Sequence, residues 1–428
     1  MAQRTGKPTA TPRPAWKQRA ADPQRLEALL DAAAVEFNAR GVAGASLAAI
    51  AQKIGVRRAA LYYYFDTRED LVRQCYLRAC RTTADDLAAA ALADSGLQRV
   101  LAYVARALDP RRAPAAVLSE VAYLDERYRV EIEKAHRANL RRLRGFIEDG
   151  IADGSVRGCD AAVAAQAIFG MLSWVPLVEE WVEGAGEYVR AHAAEAIADL
   201  IENGVAADAA ERFHCQIDVA QFAFRPGNAF DRKAAAAQKI ELILMTASEM
   251  FNRRGIDGTS LDDITAALGA TKGAFYQYLP EKRALVVRCV ERAFDLYERF
   301  ADAAEAGGRN GLERTFIGLH LNVQAQASTL APLLPLAGLE SLPPRVHARI
   351  RARAAQLEAR FERFGRAGIA DGSLRRYDLR TLANAGAGAF SWIPKWRMDA
   401  EPLSPRAIAD EIVALFAQGL KRRGVNDG

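Results

Sequence analysis

An internal repeat constrains this 428-residue chain more than any other feature of its sequence. Residues 25–75 align without gaps on residues 239–289 at a constant offset of 214. A weaker echo follows at an offset of 218, where IADGSV at 151–156 matches IADGSL at 369–374. Identical pairs of the first alignment include Phe37/Phe251, Asn38/Asn252, Gly41/Gly255, Ser46/Ser260, Gly55/Gly269, Tyr62/Tyr276 and Leu71/Leu285. The repeat unit is therefore a whole protomer of about two hundred residues.

Hydrophobic periodicity predicts an all-α fold. Apolar residues recur at helical spacing in both copies, and no segment alternates convincingly in the manner of a strand. Half of the residues are hydrophobic and 8% are aromatic, which is enough for sizeable cores. A chain of this length is too long for one ordinary core, so two or more domains are expected.

The front of each copy has the spacing of a helix-turn-helix. In the first copy a helix ends at Gly41, and Ser46 then caps a short second helix. Gly55 provides a tight turn into another short helix from about Arg57 to Tyr64. The second copy repeats this pattern 214 residues later. Such a motif can place its last helix in the major groove of DNA.

Charge favours phosphate contact most clearly in the first copy. Between Phe37 and Asp66 there are four cations and no acid, as a phosphate-binding surface requires. These cations are Arg40, Lys53, Arg57 and Arg58. The second copy is less basic, because Asp262 and Asp263 lie on its short second helix.

The segments ASLAAIAQKIGVRRAALYYYFDTREDL and TSLDDITAALGATKGAFYQYLPEKRAL resemble the TetR (tetracycline-repressor) family of transcriptional regulators. The resemblance implies a DNA-binding surface in each copy, in which Arg57, Thr271, Tyr63 and Gln277 read base edges and neighbouring cations and tyrosines hold phosphates. In the first copy this surface comprises Ser46, Arg57, Arg58, Ala59, Tyr62, Tyr63 and Arg68. In the second copy it comprises Ser260, Thr271, Lys272, Gly273, Tyr276, Gln277 and Lys282.

The repeat and the motifs together predict six segments, arranged as an intramolecular pseudo-dimer. They are a basic flexible N-terminal arm at 1–21, helix-turn-helix DNA-binding domains at 22–75 and 235–289, helical ligand-binding and dimerisation domains at 76–204 and 290–428, and a linker at 205–234. We call the DNA-binding domains the first and second heads, and the helical domains the first and second ligand domains. The arm carries five cations before the first acid, Asp22, and is either a solvated tail or an arm that follows DNA phosphates or a minor groove.

The resemblance also implies an effector site in each ligand domain and a pairing surface formed by its last two helices. Four tryptophans stand out there, namely Trp174, Trp181, Trp392 and Trp396. They either line a cavity for a small apolar or amphipathic effector, or pack the helices between protomers. The divergence of the two ligand domains fits two different ligands, or one working site and one relic.

We therefore expect a cytoplasmic, ligand-responsive repressor that binds an asymmetric double-stranded operator through two non-identical heads. A sensor or scaffold with inactive heads is the main alternative, followed by an enzyme. The five histidines lack an H-E-x-x-H spacing, the five cysteines lack a C-x-x-C pair, and no G-x-S-x-G or P-loop occurs. No metal, cofactor or catalytic residue is expected, and residues 161–178 are too weakly hydrophobic for a membrane span. Further dimerisation of the whole chain stays open.

Overall fold

The computed structural model describes residues 23–113, 115–182, 184–208, 213–225, 227, 230–271, 273, 275, 278–279, 281–334, 342–395 and 403–423, without the side chains of residues 180 and 181. Within these ranges the regular structure is helical, apart from two isolated β-bridges. The all-α prediction is confirmed. The predicted arm at 1–21 lies outside the described residues.

Most helices of the first copy have a counterpart in the second, and the positions that correspond to α3 and α8 are only partly described there. The first copy comprises α1 (Pro23–Gly44), α2 (Leu47–Lys53), α3 (Arg58–Leu61), α4 (Arg68–Ala90), α5 (Gly96–Ala107), α6 (Glu126–Asp153), α7 (Ala161–Trp174), α8 (Val178–Trp181) and α9 (Gly186–Asn203). The second comprises α10 (Arg232–Arg254), α11 (Leu261–Ala267), α12 (Lys282–Gly307), α13 (Gly311–Ala327), α14 (Pro344–Asp371), α15 (Leu379–Ala385), α16 (Gly388–Ser391) and α17 (Pro405–Gln418). Single 3₁₀ turns lie at Val121–Tyr123, Val175–Leu177, Val219–Phe222 and Ile393–Lys395.

The IADGS echo has the same structural role in both copies. The Asp153 carboxylate accepts a hydrogen bond from the Gly96 amide at 2.8 Å, where α5 begins. In the second copy Asp371 accepts from Gly311 over the same distance, where α13 begins. A Cβ on Gly96 would lie 2.2 Å from the amide nitrogen of Gly150, so α5 and α6 meet closely enough to require glycine.

The two copies pack against each other through contacts that occur in equivalent pairs. Helices α7 and α9 of the first copy contact α15, α16 and α17 of the second. The Arg157 amide donates to the Leu420 carbonyl at 2.8 Å, and the equivalent Arg375 amide donates to the Val205 carbonyl at 3.0 Å. This reciprocity is the pattern of an isologous interface, formed here within one chain.

Glycines allow the closest approach between the copies. A Cβ on Gly170 would lie 2.3 Å from the Gly388 carbonyl oxygen, and a Cβ on Gly388 would lie 2.6 Å from the Gly170 oxygen. Gly204 and Gly419 follow the final helices with φ of 64° and 68°, a region that favours glycine. The chain therefore turns in the same way at both ends of the interface.

Part of the predicted linker packs on the second ligand domain. The Phe213 ring meets Phe316 at a centroid distance of 5.7 Å, and Phe222 meets Phe300 at 5.0 Å. The Val219 amide donates to the Gln324 side chain at 3.3 Å. Residues 213–222 therefore form part of the domain surface instead of spanning open solvent.

In the described ranges, the buried residues form two hydrophobic clusters. One belongs mainly to the first head and includes Leu47, Ile50 and Leu61. The other runs without interruption through both ligand domains and the second head. The second head is therefore continuous with the body of the molecule, whereas the first head has a core of its own.

Helix α7 belongs to the large cluster, and ten of its residues are buried. No helix among the described residues is long and apolar enough to cross a membrane.

Burial raises the pKa of the Cys75 and Cys80 thiols to about 12, which disfavours the thiolate needed for oxidation.

Candidate nucleic-acid interface and ligand cavities

The first head presents its predicted contact residues on one exposed surface. Tyr62 and Tyr63 are 39% and 61% exposed. Arg57, Arg58 and Ala59 are exposed beside them at the start of α3. The opposite face of α3 is anchored by Leu61 and Phe65, which are 0% and 2% exposed.

Two local features orient α3. Gly55 has φ 71°, and the amide of the next residue, Val56, donates back to the Ala51 carbonyl at 3.0 Å. Ser46 is the N-cap of α2, and its hydroxyl accepts from the Ala49 amide at 3.2 Å. Ser46 therefore has a structural role, and its DNA contact stays a prediction.

Arg68 ties α4 to the end of α1. Its Nη1 donates to the carbonyls of Val42 and Ala43 at 3.0 and 2.9 Å. Thr67, one residue earlier, caps α4 by accepting from the Asp70 amide at 3.1 Å. The predicted phosphate contact would have to use the remaining N–H groups of Arg68.

In the second head, Ser260 and Asp263 form a capping box at the start of α11. The Ser260 hydroxyl accepts from the Asp263 amide at 3.0 Å, and the Ser260 amide donates to the Asp263 carboxylate at 2.9 Å. These hydrogen bonds lower the pKa of Asp263. From the sequence, Asp263 was expected to weaken contact with DNA because of its negative charge. The structure shows that it caps α11, and the S-x-x-D spacing is the sequence pattern that indicates such a cap.

The other predicted residues of the second head are only partly described. Thr271 and Gly273 are exposed, and a Cβ on Gly273 would meet no atom within 4 Å. Lys282 begins α12 and is half-buried. Three predicted contacts, Lys272, Tyr276 and Gln277, lie outside the described residues.

Two cavities occupy equivalent positions in the ligand domains. The first measures about 1000 Å³ and the second about 240 Å³. Trp392 of the second copy lines the first cavity, and Trp174 of the first copy lines the second. Both tryptophans therefore line a cavity and also lie between the copies. The Trp181 side chain and all of Trp396 lie outside the described residues.

The two cavities differ chemically. The second is lined mainly by apolar side chains such as Phe294, Leu319 and Phe361. The first contains many charged groups, including Arg129 and Arg137 of α6. The second cavity suits an apolar effector and the first, with charged and apolar groups together, an amphipathic one, so the effector stays a prediction. An amphipathic helix pattern in the sequence does not distinguish cations that face a cavity from cations that face solvent.

His136 also faces the first cavity. Its ring packs edge-on against Phe169 at a centroid distance of 4.9 Å. Burial lowers the pKa of His136 to about 4, so the ring is neutral at pH 7.

An asparagine connects each head to its cavity wall. The Asn38 amide donates to the Ala115 carbonyl at 2.9 Å, and its oxygen accepts from the Val117 amide at 2.9 Å. Ala115 and Val117 line the first cavity. Asn252 makes the equivalent bonds to Pro332 and Leu334 at 3.0 Å each. The sequence shows both residues as an identical repeat pair but does not indicate this role.

Glu120 follows the loop at residues 115–117 and contacts both heads. Its carboxylate accepts from the Val42 amide of the first head and lies against Gly255 of the second. Lys395 of the second ligand domain donates to the Ser119 carbonyl at 2.8 Å. Burial raises the pKa of Glu120 and lowers that of Lys395 to about 8, and each charge partly offsets the shift of the other.

Protein-family models match both copies. The model described as "Bacterial regulatory proteins, tetR family" matches residues 29–75 and 243–289. The model described as "Tetracyclin repressor-like, C-terminal domain" matches residues 97–205 and 314–420. Together the four segments cover most of the chain, and their order confirms the tandem arrangement.

Individual proteins give weaker likenesses. The uncharacterised HTH-type transcriptional regulator YuxN of Bacillus subtilis is 36% identical over 58 residues, which span 14% of this chain and 20% of that protein. PfmR of Thermus thermophilus is 21% identical, with 40% of this chain and 96% of that chain covered at a TM-score of 0.32. KstR2 of Mycobacterium tuberculosis is 18% identical, with 43% and 96% covered at a TM-score of 0.37. Structural scores of this size carry no argument on their own.

The assignment of this chain to a family rests on the matches to the family models. The first head has the helix-turn-helix described above, the second head repeats its first short helix as α11, and both ligand domains are helical. The chain belongs to the TetR family of transcriptional regulators and contains both of the family's domains twice.

Proposed function

We propose that this protein is a ligand-responsive repressor that binds one DNA operator through both heads of a single chain, as an intramolecular pseudo-dimer. The observation that carries the proposal is the reciprocal packing of the two copies. The Arg157–Leu420 and Arg375–Val205 bonds are the kind of equivalent contacts that two protomers make across a dimer interface. One chain would then supply the two heads that an operator with two half-sites requires.

The two heads would recognise different half-sites. Arg57 and Arg58 in the first head correspond to Thr271 and Lys272 in the second. Arginine favours guanine through two hydrogen bonds, which threonine cannot provide. The operator is therefore asymmetric, with half-site centres roughly 34–36 Å apart along the duplex.

The effector would act through the loop between each cavity and its head. A ligand that displaced the loop at Ala115–Val117 would pull on the Asn38 side chain and change the position of α1. Such a shift would misplace the heads relative to each other and weaken DNA binding. In this account the protein acts on DNA in the cytoplasm without catalysis.

Selection of bound duplexes from a random library by the purified full-length protein tests the proposal. Enrichment of a site with two unlike halves about one helical turn apart is the expected result. A perfect palindrome would contradict the asymmetric mode, and an absence of enrichment would contradict DNA recognition.

A second candidate is a regulator in which only the first head binds DNA. The exposed Asp262, which has no acidic counterpart in the first head, favours it. A Lys272→Ala substitution that leaves DNA affinity unchanged, while Arg58→Ala lowers it, would select this candidate.

A further inference from the structure

The first cavity can enclose a larger ligand than the second. Its volume of about 1000 Å³ lies at the upper end of the range of about 300–1,000 Å³ typical of ligand pockets. The second, at about 240 Å³, falls below that range. Although the two cavities lie at equivalent positions in the two copies, they are therefore not expected to bind the same ligand.

The charge of the first cavity is positive. Among the described residues, seven arginine and lysine side chains line it, against the three acids Asp86, Asp109 and Glu133. Arg112 holds both oxygens of Asp86 at 2.8 and 3.0 Å, and Arg111 bonds Asp109. Among the described residues, the second cavity is lined by one acid and no cation. An anion is therefore favoured in the first cavity and disfavoured in the second.

Two half-buried arginines are available to such an anion. Arg129 and Arg137 are eight residues apart on α6, which places them two turns apart on one helix face. Neither forms an ion pair with any residue in the described ranges. Leu140 and Phe169 line the same cavity and provide an apolar surface beside them.

The second copy supplies an unsatisfied donor. The indole Nε1 of Trp392 is buried and has no hydrogen-bond partner in the described part of the chain. Leaving a buried N–H without an acceptor destabilises the protein, and a ligand oxygen would remove that cost. Trp392 also lines the first cavity, so a small rotation of its ring would bring this N–H to a molecule bound there.

The second head forms another part of the wall. Arg253 and Arg254, the last residues of α10, line the first cavity together with Gly258. Arg253 pairs with Glu249 at 3.1 Å and remains exposed. A molecule in this cavity would therefore lie between the first ligand domain and the second head.

We propose that the first cavity binds an anionic, partly apolar small molecule that bridges the first ligand domain and the second head. Arg129 and Arg137 hold its negative group, and Trp392 donates to one of its oxygens. Arg253 and Arg254 contact it from the second head. The proposal deepens the effector role described above, and its regulatory consequence rests on that role. The binding site itself does not depend on DNA.

A matched pair of fluorescent probes tests the charge requirement on the full-length protein. Anilinonaphthalene sulfonate carries a sulfonate that its parent, N-phenylnaphthylamine, lacks. We expect the anionic probe to bind one site per chain about tenfold more tightly than the neutral parent, and added salt to reduce the difference. Equal affinities for the two probes would overturn the proposal.

Variants locate the site. Arg137→Ala should remove most of the preference for the anionic probe, whereas Arg363→Ala, which removes an exposed cation of α14, should not. Trp392→Phe should weaken binding of the anionic probe. An unchanged preference in Arg137→Ala, with the same melting temperature as the parent protein, would overturn the assignment.

A separate variant tests whether the bound molecule contacts the second head. Replacing both Arg253 and Arg254 by alanine should lower the affinity of the anionic probe several-fold. Unchanged affinity would show that the second head takes no part. Because these measurements contain no DNA, failure of the duplex selection leaves them intact, and failure of the probes leaves DNA recognition intact.

Discussion

At the residue scale, the exposed surface of α3 is where DNA recognition is expected. Arg57 and Arg58 stand at the start of this helix with exposed side chains, and Tyr62 and Tyr63 follow directly after its last residue. Leu61 and Phe65 fix the helix from beneath. The residues predicted to contact DNA can therefore be changed without disturbing the core of the head.

Replacing Arg57 and Arg58 together by alanine should weaken binding to the selected operator at least tenfold. Loss of two phosphate or base contacts should also lower the slope of log K against log salt by about two. Fluorescence anisotropy at several salt concentrations measures both quantities. Arg363→Ala removes a cation far from the heads in sequence and is the control. An unchanged affinity in the double variant would show that α3 does not contact DNA.

His136 gives a prediction about pH. Its pKa of about 4 in the folded protein lies below the ordinary value of about 6.5, so the unfolded chain binds a proton more readily between these pH values. Stability is therefore lost as pH falls from about 6.5 to about 4, by at most about 3 kcal/mol from this residue.

The His136→Gln variant should lose less stability on acidification than the parent protein. Urea unfolding at pH 7 and pH 5 measures the difference, and His192→Gln on the exposed surface of α9 is the control. Equal losses in His136→Gln and the parent protein would contradict the burial of a neutral ring.

Some of these residues were predictable from the sequence, and others were not. The exposed positions Arg57 and Tyr63 follow from motif spacing alone. Arg129 and Arg137 look like the cations of any solvated helix face, because the sequence does not say that the neighbouring helices leave a cavity there. Asn38 and Asn252 were visible as an identical pair, but their partners Ala115 and Pro332 lie 77 and 80 residues away in loops without regular periodicity.

At the element scale, the loop that ends at Val117 connects the cavity with the first head. The Asn38 side chain is the hydrogen-bond partner of the Ala115 carbonyl and of the Val117 amide, in place of another backbone group. Buried backbone groups that lose such a partner destabilise the fold. The loop and α1 are therefore expected to move as one element.

Replacing Asn38 by alanine should destabilise the first head by about 1–3 kcal/mol, because the buried Val117 amide loses its acceptor. Hydrogen exchange should rise at residues 115–117 and along α1, while the second ligand domain remains unchanged. Asn203→Ala is the control, because that side chain bonds Asp199 in the same helix. Unaltered exchange at 115–117 would show that the asparagine does not hold the loop.

The helices at the interface between the copies also depend on a backbone contact. Gly170 and Gly388 meet where α7 and α16 cross, and the obstructing atoms are carbonyl oxygens. Backbone atoms cannot rotate away as the end of a flexible side chain can. An added methyl group must therefore separate the two helices.

Replacing Gly170 by alanine should lower stability by about 1–3 kcal/mol through this overpacking. Gly145 is a matched control, because it lies within α6 and a Cβ there would meet no atom within 4 Å. Gly145→Ala should be neutral or stabilising, since alanine is the better helix former. Thermal melting compares the variants, and equal melting temperatures would contradict the close packing of the copies.

At the scale of the whole molecule, the repeat predicts the architecture, but the sequence does not reveal the inequality of its halves. The offsets of 214 and 218 give the two heads and the two ligand domains. They do not indicate that the second head shares its core with the ligand domains while the first has a separate core. That difference depends on packing between segments far apart in the chain, including residues 213–222 on the second ligand domain.

This inequality suggests separate tasks for the halves. The larger, cationic cavity lies in the first ligand domain, but residues of the second head form part of its wall. A ligand there would contact the head that is most firmly joined to the body of the molecule. In the proposed mechanism the first head would respond through the loop at residues 115–117, to which Asn38 is bonded, so a single site would act on both heads.

The central claim is that one chain supplies both DNA-binding heads. Light scattering of the purified protein bound to its selected duplex measures the number of chains in the complex directly. The account predicts one 46.6 kDa chain per duplex, with the same protein mass in the absence of DNA. Two chains on one duplex would contradict it and would mean that the operator is bound by a dimer of whole chains.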